Sequence, residues 1–168
     1  MKEDEDHFFR NFLSKYCSNN MFDSSLSYKI TGVTSVGYLQ ALASQDQNDI
    51  LLWVVKDTQI ERRKWQFLKA DNPGFYIIKN EETCLLLTCQ KCPLKQVYQL
   101  KLCQSFHDDS QKFFIQKNKD KTYEIWSLLC PNKKFQICKN DLGMDILQIK
   151  PRKDCPSQKF MIEEIDDE

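Results

Sequence analysis

The stretch Tyr123-Glu124-Ile125-Trp126-Ser127-Leu128-Leu129-Cys130-Pro131-Asn132-Lys133-Lys134-Phe135-Gln136-Ile137-Cys138 carries two short hydrophobic runs on either side of Pro131-Asn132-Lys133-Lys134. Aromatic and β-branched residues bounded by a polar cluster predict a strand, a tight turn and a second strand. Pro131, which has no N–H to give to a ladder, is expected to end the first of them.

The opening triplet of this stretch is not unique. Tyr28-Lys29-Ile30, Tyr76-Ile77-Ile78 and Tyr123-Glu124-Ile125 stand 48 and 47 positions apart. The aromatic residues that begin WQF, FFI and FMI, at Trp65, Phe113 and Phe160, keep the same two intervals, as do Leu52, Leu100 and Leu147. The runs YLQAL, CLLLT and KFQIC fill the remaining slot, so each repeat holds four runs of strand length. Little after the first two dozen residues has helical periodicity. Three units of four short strands, each giving equivalent inward residues to one barrel, predict an all-β fold of the β-trefoil type. Residues 1–24 stand outside the repeat as an N-terminal arm, and 25–168 are read as one trefoil domain.

At 168 residues the chain can bury a core of its own. Lys plus Arg number 24 and Asp plus Glu 24, so no net field draws the chain to nucleic acid or an anionic membrane. The start MKEDEDHFFRNFL is acidic where a secretion signal would be basic and then continuously apolar. Apolar runs such as Ile50 to Val55 are too short to span a bilayer. The expectation is a monomer that is made in the cytosol and does not insert in membranes. Eight cysteines, at 17, 84, 89, 92, 103, 130, 138 and 155, are then expected as thiols.

The chemistry-bearing residues are sparse. His7 and His107 are the only histidines, and His107, beside Asp108 and Asp109, has no nucleophile elbow near it, so no catalytic residue is assigned. Cys89 and Cys92 form one Cys-x-x-Cys pair with Cys84 nearby, but no second pair follows at zinc spacing, and neither a metal nor a cofactor is expected. The basic pieces Arg62-Arg63-Lys64 and Lys150-Pro151-Arg152-Lys153 read as solvated turns. With four glycines in all, a phosphate-cradling loop is excluded. Function is therefore expected to lie in loops and barrel faces that meet another molecule.

The run Ile125-Trp126-Ser127-Leu128-Leu129-Cys130-Pro131, followed by Phe135-Gln136-Ile137-Cys138, resembles a strand pair in the last third of interleukin-1 family cytokines. Ile125 stands where that family has Phe, and Lys134 and Gln136 lengthen the gap after Pro131. The resemblance implies a secreted signalling ligand, exported without a signal peptide, that binds an immunoglobulin-domain receptor and an accessory receptor chain. It implies receptor contact at the turn Lys117-Asn118-Lys119-Asp120-Lys121, where Lys117, Lys119, Asp120 and Lys121 are the candidates. It also implies a removable propiece, for which the acidic run ending at Asp6 is either the cleavage region or a solubilising tail.

Ricin-type lectins are the second resemblance, since their repeats close with Gln-x-Trp and this chain has Gln111-Lys112-Phe113 and Gln158-Lys159-Phe160. Arg63-Lys64-Trp65 takes the same place in the first unit. In those lectins an Asp after Cys-Leu holds the sugar hydroxyls, whereas Cys84-Leu85 is followed here by Leu86. The alternatives to a cytokine are thus a glycan-binding lectin-like trefoil or a trefoil protease inhibitor.

Overall fold

The computed structural model describes residues 21–35, 37–43, 50–55, 63–94 and 97–166, with 42–43 and 50–55 described by their backbone alone. Asp6, His7, Cys17 and Arg62 lie outside the described residues. The first unit contributes β1 (Tyr28–Gly32), β2 (Tyr38–Ala43), β3 (Ile50–Val55) and β4 (Trp65–Lys69). The second contributes β5 (Phe75–Asn80), β6 (Leu86–Lys91), β7 (Tyr98–Cys103) and β8 (Phe113–Lys117). The third contributes β9 (Tyr123–Ser127), β10 (Lys133–Lys139), β11 (Asp145–Pro151) and β12 (Phe160–Glu164).

The first and last strands of each unit close into a ring, β1–β4–β5–β8–β9–β12 and back to β1, with every pairing antiparallel. The middle strands form the hairpins β2–β3, β6–β7 and β10–β11, which meet one another through β3–β7 and β3–β11. A six-stranded barrel carrying three hairpins in threefold arrangement is the β-trefoil, as the repeat predicts. Its closure leaves the ring without a free edge.

Each repeated position has a structural reason. Tyr28 pairs across the ladder with Trp65, Tyr76 with Phe113 and Tyr123 with Phe160, so the two sets of aromatics face each other once per unit. Trp65, Phe113 and Phe160 are buried, as are Ile30, Ile78 and Ile125 on the barrel strands. Leu39, Leu87 and Phe135 carry the same burial into the hairpins. Fully burying such a side chain contributes about 1.5–3 kcal/mol, and the repeat supplies three of each. The approach of hairpin to barrel is close at Gly32, where a Cβ would meet Ile137 Cγ1 at 2.8 Å.

The end of the barrel lined by the repeated tyrosines is filled by Phe22. Its ring stacks on Phe67 with centroids 4.3 Å apart and meets Tyr28, Tyr76 and Tyr123 at 5.3, 5.4 and 5.8 Å. The Tyr28 hydroxyl accepts a bond from the Asp23 N–H and the Tyr76 hydroxyl one from the Met21 N–H, which holds the segment across the opening. A hydrophobic residue from outside the repeat therefore completes the repeat's core.

The Tyr123–Cys138 stretch needs two corrections. The first strand ends at Ser127, four residues before Pro131, because the Ser127 hydroxyl accepts the Leu129 N–H and turns the chain there. The second strand begins at Lys133, so Lys134 is a strand residue rather than a turn residue. Lys134 is buried, paired with the buried carboxylate of Glu124 and set 5.1 Å from the centre of the Trp126 ring. A buried cation of this kind is retained only with its partner, since removing one member strands the other charge.

Candidate functional site

The positions that repeat without pointing into the barrel are two glutamines. Gln111 and Gln158 each close a short 3-10 helix, Asp109–Gln111 and Pro156–Gln158, and both are buried. Gln111 Nε2 donates to the Gln104 carbonyl at 2.7 Å and to Thr88 Oγ1 at 3.0 Å, while its Oε1 accepts the Phe106 N–H at 2.8 Å. Gln158 Nε2 donates to the Pro151 carbonyl at 2.8 Å and to Gln136 Oε1 at 3.0 Å, and its Oε1 accepts the Lys153 N–H at 2.8 Å. The two amides thus make the same three bonds one repeat apart, and each pins the loop that precedes its closing strand. In the first unit Arg63 takes the glutamine's place and stacks 4.8 Å over the Tyr38 ring. Gln40, at the position of Thr88 and Gln136, is buried there with its Oε1 unpartnered among the described residues.

On the second unit this pinned loop forms one wall of an open groove. Phe106, Asp108, Asp109 and Ser110 face Gln90, Lys91 and Pro93 across it, and Cys89 and Leu129 also line it. Phe106 is 47% exposed and Leu129 40% exposed, both high for large apolar side chains. His107 holds a positive φ of 53°, a conformation uncommon outside glycine, and its Nε2 lies 3.3 Å from Ser105 Oγ. The left-handed residue turns the chain so that Phe106 and Asp108 fall on the groove.

Asp108 is held in place by the 3-10 helix it caps. Its Oδ1 accepts the Ser110 N–H at 2.9 Å and the Ser110 hydroxyl, and among the described residues no donor reaches its other oxygen. Asp109 is fixed by Lys112, whose ammonium lies 3.1 Å away and also reaches Asp71 at 2.8 Å and Asn72 Oδ1 at 2.7 Å. Hydrogen bonding to Asp71 is the main reason the Lys112 ammonium is held above its usual range. The groove therefore presents an aromatic face, the capped carboxylate of Asp108, the Lys112-paired carboxylate of Asp109, and the Gln90 and Lys91 side chains.

The other candidates are placed as follows. Lys119, Asp120 and Lys121 sit in the exposed turn between β8 and β9, whereas Lys117, also exposed, is the last residue of β8 rather than a turn residue. Asp120 is used inside that turn, accepting the Thr122 N–H at 3.0 Å and hydroxyl at 2.5 Å, which holds its carboxyl below the usual range. Lys117 rests its ammonium 5.8 Å from the Tyr123 ring. The Cys-x-x-Cys pair is divided, with Cys89 in the core and Cys92 beyond the end of β6. Among the described residues no group of three or more potential metal ligands comes together. Leu86, where ricin-type lectins have their sugar-binding Asp, is buried. Phe106, Gln90 and Leu129 were not singled out by the sequence. The available signal was a break in the repeat, since Phe106 lies one interval from Lys153.

The fold and its threefold core define a β-trefoil protein. No protein-family model and no curated protein matches the chain. Among solved structures it is similar to a mosquitocidal holotoxin, with a TM-score of 0.77 and 22% identity over 89% of this chain and 18% of that one. The chain thus spans less than a fifth of the holotoxin's length. It is also similar to the Macrolepiota procera ricin B-like lectin, solved in complex with lactose, with a TM-score of 0.63 and 14% identity over 86% of this chain and 99% of that one. The designed threefold-symmetric protein ThreeFoil gives a TM-score of 0.64 and 13% identity over 81% and 96%. At these identities the likeness establishes the fold, and it adds nothing specific to the interleukin-1 resemblance.

Proposed function

We propose that this chain is a non-catalytic carbohydrate-binding module that takes a neutral sugar in the groove of its second unit. The observation that carries the reading is the half-exposed ring of Phe106 beside the capped carboxylate of Asp108 in one open groove. Pyranose rings present a C–H face that packs on an aromatic ring and equatorial hydroxyls that donate to carboxylates, so this pairing of groups suits them. The unpaired carboxylate oxygen of Asp108 favours a hydroxyl donor over a sulfate or phosphate beside it. The similarity to a lactose-bound ricin B-like lectin supports the reading. The Gln-x-Phe closures, which resemble the Gln-x-Trp of such lectins, support it further. With Leu86 buried, the carboxylates of this groove take the role that another Asp plays in those lectins.

A glycan array probed with the wild type and with Phe106→Ala tests this. The wild type is expected to retain a subset of neutral glycans, and the variant to bind them at least about 10-fold more weakly, or about 1.4 kcal/mol. Binding to no glycan, together with a tight complex with an immunoglobulin-type ectodomain that is lost on charge reversal at Lys117, Lys119 and Lys121, would replace this reading with the receptor-ligand one.

A further inference from the structure

Beneath the groove two buried cysteines meet. Cys89 on β6 and Cys130 in the turn between β9 and β10 bring their sulfur atoms within 3.4 Å, although they are 41 residues apart in the chain and belong to different units. Both residues are buried, and Cys89 lines the groove. Both also belong to the hydrophobic core. At the equivalent of Cys89 the first unit has Ala41 and the third Ile137, both inert core residues. We propose that Cys89 and Cys130 form a thiol pair that a small hydroperoxide converts to a disulfide, joining the second unit to the third.

The surroundings divide the roles of the two sulfurs. Cys130 is held below the usual thiol range by its contact with Cys89, which burial opposes and Ser127 and the nearby Lys133 ammonium assist. Cys89 is pushed well above that range by the same contact and by burial. The Lys133 ammonium and Ser127 near it favour Cys130 as the sulfur that reacts as thiolate. It attacks one oxygen of hydrogen peroxide, the O–O bond breaks, and a sulfenic acid and hydroxide form. The Cys89 thiol then attacks the sulfenic sulfur, the S–O bond breaks, and a water molecule leaves as the S–S bond forms. In total two thiols and one peroxide give one disulfide and two waters, the thiols being oxidised and the peroxide reduced. The sulfurs must close from 3.4 Å to about 2 Å, a shift that two side-chain rotations can share. Cys89 is 0% and Cys130 4% exposed, so burial favours an oxidant the size of peroxide over a bulky peptide disulfide.

The test is peroxide treatment of the reduced, intact chain, followed by alkylation under denaturing conditions and peptide mapping. The expected result is a crosslinked peptide joining Cys89 to Cys130, a loss of about 2 Da for that pair, and a melting temperature raised by about 10 °C and restored by dithiothreitol. In Cys130→Ser the melting shift should vanish and Cys89 should remain alkylatable. Because that variant replaces a buried residue, the map of the wild type decides if it does not fold. Alkylation of both Cys89 and Cys130 after peroxide would overturn the proposal. So would a crosslink from either to another cysteine, or a Cys89–Cys130 disulfide that fails to raise the melting temperature.

Discussion

The loops 104–111 and 151–158 are the same device built twice with different faces. In both, a buried glutamine closes a 3-10 helix, donates to a carbonyl seven residues earlier and accepts an N–H five residues earlier. The outward residues have diverged: Phe106 stands against Lys153, Asp108 against Cys155 and Asp109 against Pro156. Asp108 caps its helix through a carboxylate, whereas Cys155 makes no side-chain cap and places its sulfur 3.3 Å from Ser157 Oγ. What the units share holds the loop in place, and what they do not share decides what the loop can meet. Identity between repeats marks structure, and a break at an exposed position marks a candidate site.

This contrast yields predictions of falling size. The shared core should be the most sensitive, and Phe22→Ala, which empties the barrel end between three tyrosines, is expected to cost about 3–5 kcal/mol in urea unfolding. A cost below about 1 kcal/mol would mean that Phe22 covers the opening without supporting it. The two staples should be equivalent. Gln111→Ala and Gln158→Ala each strand a loop N–H and carbonyl, and each is expected to lower stability by about 2–4 kcal/mol with an unchanged denaturant slope. A difference between them greater than about 1 kcal/mol would break the equivalence.

The faces should be insensitive in stability and decisive in binding. Phe106→Lys, which gives the second loop its counterpart's residue, is expected to change stability by no more than about 0.5 kcal/mol. The same variant should abolish glycan retention. If binding persisted, the groove would not be the site.

The smallest effect concerns Lys112, which ties the groove loop to the turn before β5. Hydrogen bonding to Lys112 holds the Asp71 carboxyl below its ordinary 3.8, so the stability it contributes is present above that value and is lost as pH falls through the lowered one. Lys112 is held above its ordinary 10.5, so its contribution is full below that value and is lost as pH rises through the raised one. Lys112→Met should therefore flatten both the acid and the alkaline limbs of the stability profile, by a small amount because Asp71 is exposed. Urea midpoints at acid, neutral and alkaline pH would show this.

The fold was legible because the barrel demands it. Tyr28 opposite Trp65, Tyr76 opposite Phe113 and Tyr123 opposite Phe160 are one ladder pair used three times, so their spacing could not drift without loss of the core. Phe22 was hidden because nothing in a repeat points to a residue outside it. Lys134 was misread because a lysine in the polar run after Pro131 suggests a turn, and only its ion pair with Glu124 on β9 makes burial tolerable. The groove was half legible. Asp108 and Asp109 drew attention through His107, yet their nearness to Gln90 and Leu129 depends on how the hairpin β6–β7 sits against the turn after β9.

Amide chemical-shift mapping of the wild type, on addition of the glycan it retains most strongly on the array, tests the central claim most directly. Shifts confined to residues 88–93, 105–111 and 129, and absent in Phe106→Lys, are the predicted result. Shifts centred on the Lys117–Lys121 turn or on the loop 151–158 would contradict it.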